Sequence, residues 1–213
     1  MPLDREQVIK AAIDLLEEVG LDGLSLRRLA RELGVQAPAL YWHFKNKQEL
    51  LDQLVETIAA EARAAEPPAP GQAWDEWLAE RARGIRAALT RHRDGVRLAT
   101  ATRPQAVQLN AIELQLQVLC GVGLSPRDAM AAMMAVANYV SGFTLDEQAD
   151  RLRAAEPVDE ELGVDEVFRF LEAYPLMNAS LREIRDPQSD ASFERGLQIV
   201  LDGIRAAVAR SAR

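Results

Sequence analysis

Two histidines and one cysteine among 213 residues leave little from which to build a metal centre or an activated nucleophile. There is no HExxH, no paired CxxC and no glycine-rich phosphate loop, so the usual signatures of zinc hydrolases, thiol redox enzymes and nucleotide-binding proteins are missing. No cofactor and no metal are expected. The tripeptide His92-Arg93-Asp94 matches one kinase motif, but without that enzyme's other motifs it reads as a polar helix end. Cys120 has no second cysteine with which to form an internal disulfide, and the opening MPLDREQVIK lacks the apolar core of an export signal. A cytoplasmic protein is expected. The most apolar stretch, 129 to 145, is broken by Asn138 and Ser141 and is too short to cross a bilayer, so no membrane partner is expected. Aromatic residues are scarce, and no alternating run of β-branched residues bounded by hairpin turns marks a strand.

What is present is helical periodicity throughout, which predicts an all-α chain. Asp4 can cap a first helix carrying Val8, Ile9, Ala12, Ile13, Leu15 and Leu16, which Gly20 ends. Ser25 can cap a short second helix that Gly34 ends, and Pro38 suits the first turn of a third. Asn46, with Glu49 three residues on, resembles a capping box for a longer helix to about Glu61. The proline-rich run 66 to 72 is a loop. Trp74 to Arg91 and Pro104 to Cys120 then read as helices, and Ser125-Pro126 opens an apolar one to about 145. A polar, acidic stretch to Asp165 reads as a loop, and a final helix carries Phe193, Leu197, Leu201 and Ile204.

The net charge of −8 argues against a polyanionic partner unless positive charge is concentrated somewhere. It is. Residues 25 to 47 hold Arg27, Arg28, Arg31, Lys45 and Lys47 against Glu32, five minus one or +4, leaving −12 elsewhere. The same stretch reads LRRLARELGVQAPALYWHF, two short helices about a glycine turn: a helix-turn-helix pattern with Leu29, Ala30, Val35 and Leu40 inside.

The run from Asp4 to Asp52, and LYWHxKNKxxLLD within it, resembles the DNA-binding domain of the TetR family of bacterial repressors. A weaker likeness continues through HRDGVRLATATRP and LDEQ, closest to the tetracycline-binding class. The resemblance implies a helix-turn-helix DNA-binding domain at 1–47 and a helical effector-binding and dimerisation domain at 48–213. The partners it implies are operator double-stranded DNA, a small-molecule effector and a second copy of the chain. By alignment, Arg27 reaches a guanine edge, while Ser25, Tyr41 and Lys47 contact phosphate. Pro38, Tyr41, Trp42 and His43 fall on the recognition helix. Phe44 reads as core, whereas Trp42 can either pack the domain or face DNA, and His43 can simply be exposed. The family's glutamine and threonine are replaced by Ala37 and Ala39, which can meet only a thymine methyl.

The family's tetracycline-binding members hold the drug as a magnesium chelate with imidazole, amide, aromatic and carboxylate side chains. Here Arg63 and Ala99 stand at the two histidines, Arg81 at the asparagine and Ile85 at the phenylalanine. Gln115 is kept and Asp146 replaces a glutamate. Thr102, Arg103, Met134 and Asn138 complete the candidate effector site, with the other methionines between 130 and 134 as apolar wall. Arg63 and Arg81 can equally be solvated helix-face charges. The expected function is therefore a dimeric repressor released by an effector other than the chelate. Its alternatives are a regulator that activates or senses no small molecule, a helical-bundle enzyme and a protein-binding adaptor.

Overall fold

The computed structural model describes residues 4–62, 66–104, 106–155, 169, 171–184 and 186–211. Among these there are ten α-helices, one short 3-10 turn and no strand. Helix α1 (Arg5–Gly23) puts Val8, Ala12, Leu15 and Leu16 on one buried stripe. Gly20 breaks it with φ of 70°, as its position in the sequence suggested, and the chain turns helical again for one short turn. Asp4 stands at the N-cap but makes no side-chain capping bond, contrary to expectation.

Helix α2 (Leu26–Glu32) starts on Ser25, whose Oγ accepts from the Arg28 N–H at 3.2 Å. It closes with a Schellman turn: Val35 N–H reaches the Ala30 carbonyl, Gly34 N–H reaches the Arg31 carbonyl, and Gly34 takes φ of 64°. Helix α3 (Ala37–Tyr41) is only five residues long. Helix α4 (Lys47–Glu61) begins with the expected cap, Glu49 N–H donating to Asn46 Oδ1 at 2.9 Å, while the Glu49 carboxylate reaches back one residue beyond the cap to accept from Lys45 N–H at 2.8 Å. Leu29, Leu40, Phe44, Leu50 and Leu54, all fully enclosed, close over the α1 stripe. Each contributes about 1.5 to 3 kcal/mol through burial. This core runs on through Leu51 and Ile58 of α4 to Ala88, Leu89, Val96 and Leu98, so it is continuous across position 47.

The second core is a helical bundle. Helices α5 (Trp74–Arg91), α6 (Gly95–Thr100), α7 (Ala106–Gly121) and α8 (Pro126–Ala155) precede α9 (Pro175–Ile184) and α10 (Asp190–Ser211). Leu78, Leu119, Val136, Val140, Phe193, Leu197 and Leu201 fill its centre. Ser125 caps α8 as expected, accepting from Asp128 N–H at 3.1 Å. The helix does not end near 145, however; it continues through 155. Its polar half is held by ion pairs of Glu147 with Arg86 and Arg151, and Gln148 Nε2 donates to the Leu89 and His92 carbonyls at 2.9 and 3.0 Å. The rest of the expected acidic loop, 156–168, lies outside the described residues. Helix α5 touches both cores, and Ile85 on it packs against each. No described helix is long and apolar enough to cross a membrane.

Candidate functional site

The first surface of interest is the outer side of α2 and α3. Arg27 and Arg31 are exposed and make no ion pair among the described residues, while Arg28 is drawn to Glu18 at 3.5 Å. Tyr41 is 51% exposed and Trp42 is 90% exposed, beside Phe44 at 0%. That contrast settles the packing question left open above: Phe44 is core and the indole of Trp42 is not. Helix α3 ends at Tyr41, so Trp42 is its C-cap and His43 lies in the turn beyond, not on the helix. Ala37 and Ala39 are half-buried and Pro38 is exposed in the first turn. Lys47 is folded back, Nζ donating to the Leu21 carbonyl at 3.2 Å, although an ammonium has further protons to offer.

The second is a cavity of about 280 Å³ where the two cores meet. Val55, Ile58, Ile85, Ala88, Leu89, Ala111 and Ile112 make its wall apolar. Of the expected effector residues, Arg81, Ile85, Ala99, Thr102, Arg103 and Gln115 line it. Met134, Asn138 and Asp146 do not: all three are exposed, and α8 turns Ala137 and Ser141 to the cavity instead. The correction is angular, since Asn138 lies about 100° round the helix from Ala137. Arg63 lies outside the described residues. Gln108, Ala111, Ile112 and Gln115 were readable from the sequence as one face of α7 at three- and four-residue spacing.

Arg81 is the unusual group here. It is 7% exposed, its guanidinium carbon lies 4.8 Å from the Trp77 ring centre, and Nη2 donates to Gln115 Oε1 at 3.4 Å. Nε and Nη1 are buried without a hydrogen-bond partner. Burial lowers its pKa to about 10, so the side chain remains a cation at neutral pH. The described lining contains two arginines and no aspartate, glutamate or histidine.

Between the two sites lies the segment read from sequence as a polar helix end. His92 is buried between Glu17 at 3.1 Å and Glu61 at 3.3 Å. Arg93 Nη1 donates to the Glu17 and Glu18 carbonyls of α1, at 3.3 and 2.8 Å. Asp94, held at φ of 57°, accepts from Leu21 N–H at 2.9 Å and from Arg97 at 3.0 Å, and Arg97 also grips Asp22. The same short helix presents Gly95 and Ala99 to the cavity.

A basic helix-turn-helix on a helical body with a cavity at the junction defines a DNA-binding regulator. Comparison with known proteins agrees. Residues 8–54 match the family model of bacterial regulatory proteins, tetR family, and 67–208 match that of the Tetracyclin repressor-like, C-terminal domain. The chain is 42% identical over 202 residues to the tetracycline repressor protein class A from transposon 1721 of Escherichia coli, covering 95% of its own length and 90% of the relative's. A possible TetR family transcriptional regulator from Streptomyces coelicolor A3(2) superposes with a TM-score of 0.79 at 37% identity, over 96% of this chain and 100% of that one. TetR(class A) in complex with 5a,6-anhydrotetracycline and magnesium gives 0.72 at 36%, over 96% and 99%. The protein belongs to the TetR family of transcriptional regulators.

Proposed function

We propose that this protein is a homodimeric repressor that holds operator double-stranded DNA through α2 and α3 and releases it when a small molecule other than the tetracycline–magnesium chelate fills the cavity. The observation that carries this is the donor set of the cavity. Magnesium favours oxygen ligands, carboxylates above all, and the described lining offers two guanidinium cations and neutral amides and hydroxyls. These residues do not fit the metal. The flat ring system named with a solved relative would also meet Ile85, which has no aromatic face.

Arg27, Tyr41 and Trp42 are the side chains assigned to DNA, with Ser25 and Lys47 on phosphate. Their exposure and the local +4 charge support the assignment. A gel-shift series on operator DNA tests both halves. Lys47→Ala should weaken every sequence alike and lower the salt dependence, and Arg27→Ala should relax preference at one base position by about 1 to 3 kcal/mol. Tetracycline with magnesium should leave the complex intact; release by the chelate refutes the effector reading, and unchanged affinity in both variants refutes the DNA face.

A further inference from the structure

Helix α5 carries four arginines along the bundle, and three of them have carboxylates. Arg83 pairs with Glu194 at 2.7 Å, Arg86 with Glu147 at 3.1 Å and Asp190 at 2.7 Å, and Arg91 with Glu61 at 2.6 Å. Arg81 is the most enclosed member of the series by position in the cavity wall, and no acidic side chain among the described residues pairs with it. A buried charge without a counter-charge is costly, and natural interiors pair or neutralise such groups. Neutralisation is not the solution here, because the guanidinium keeps its proton at pH 7.

We propose that the missing counter-charge is the ligand: the cavity takes a small organic carboxylate, its anionic end against Arg81 and Gln115 and its apolar body against Val55, Ile58, Ile85 and Ile112. The inference rests on the effector-responsive reading above and names the chemical class of that effector. Trp77 covers one face of the guanidinium and Gln115 takes one Nη2 proton, which leaves Nε, Nη1 and the second Nη2 proton, so that a donor pair including Nη2 remains on one edge of the fork. A planar carboxylate is the acceptor that matches a guanidinium best in both geometry and charge. The volume of about 280 Å³ sits at the small end of the range for organic ligands, which suits a short aromatic or aliphatic acid.

The test is calorimetric titration of the full-length protein, without DNA, with acetate, butyrate, 3-phenylpropanoate and octanoate, and with the matched primary amides. The expected result is binding that strengthens with the apolar tail, each carboxylate exceeding its amide by about tenfold or more. Arg81→Gln, checked for native circular dichroism, should erase the difference between acid and amide while leaving the dependence on tail length. No carboxylate binding, equal binding of acids and amides, or a preference that survives Arg81→Gln overturns the proposal. A parallel gel shift separates it from the reading on which it rests. Carboxylates that bind Arg81 without releasing operator DNA leave the site assignment standing and refute effector control; release by amides and acids alike does the reverse.

Discussion

Replacing Arg81 by methionine removes a buried charge while keeping an unbranched side chain of similar length. Burial lowers the arginine pKa from its ordinary value to about 10. At about 1.36 kcal/mol per pH unit, the charged form is disfavoured by roughly 3 kcal/mol relative to water. Methionine recovers that cost but forfeits the contact with Trp77, worth about 0.5 to 2 kcal/mol, and a long hydrogen bond to Gln115. The net expectation is a gain of about 1 to 2 kcal/mol in the ligand-free protein, or a melting temperature raised by about 2 to 8 °C for a chain of this size. The sign with pH follows from linkage. The folded-state pKa lies below the unfolded one, so the cost is fully present at pH 7 and is relieved only as pH rises through about 10, where the folded protein sheds its proton first. Urea unfolding at pH 7.5 and fixed protein concentration therefore reads the whole effect. A loss of stability of 1 kcal/mol or more in Arg81→Met would show that the charge is already compensated in the free protein, and the argument for an anionic ligand would fail with it.

Two further outcomes are expected. Gly95→Ala should lower stability by about 1 to 3 kcal/mol in the same assay, because the added Cβ would stand 2.3 Å from the Leu89 carbonyl oxygen, a backbone atom that has little room to yield. Ile199→Lys, at a residue 69% exposed on α10, should leave circular dichroism unchanged but shift sedimentation from dimer to monomer at micromolar concentration; Met134 and Leu145 are further exposed apolar side chains, on α8.

The helix-turn-helix was legible because its signals are local. Ser25 caps its helix through a bond only three residues along the chain, Gly34 supplies the left-handed turn where it stands, and Phe44 has only one small core to enter. Pocket geometry was less legible because it is set from far along the chain. Gln115 meets Arg81 across 34 residues, and Gln148 stabilises the polar half of α8 by reaching carbonyls 56 and 59 residues back. A polar stretch with such partners looks like a loop until the partners are in place. Asn138 and Met134 lie off the cavity lining for a different reason: alignment brings the right helix but not the last tens of degrees of its rotation, and here the stripe facing the cavity is Ala137 and Ser141. Helix α6, at six residues, is too short to leave a periodic trace at all.

Under the proposed function, that short helix is the link between the cavity at the junction of the two cores and the helix-turn-helix. At about 1.5 Å per residue it spans roughly 9 Å, a single rigid turn and a half with no interior in which to absorb strain. One side contributes Gly95 and Ala99 to the cavity wall. The other side, through Asp94 and Arg97 and the preceding Arg93, holds the C-terminal end of α1 by its backbone at Glu17, Glu18 and Leu21 and by the side chain of Asp22. These are largely exposed polar contacts, each worth about 1 kcal/mol. Their sum is a few kcal/mol, the same scale as the 1 to 3 kcal/mol by which typical regulators couple effector and DNA. A latch much stronger than that would not yield to a small ligand, and one much weaker would not carry a shift of α6 into α1 and, through the α2 that packs on it, into α3.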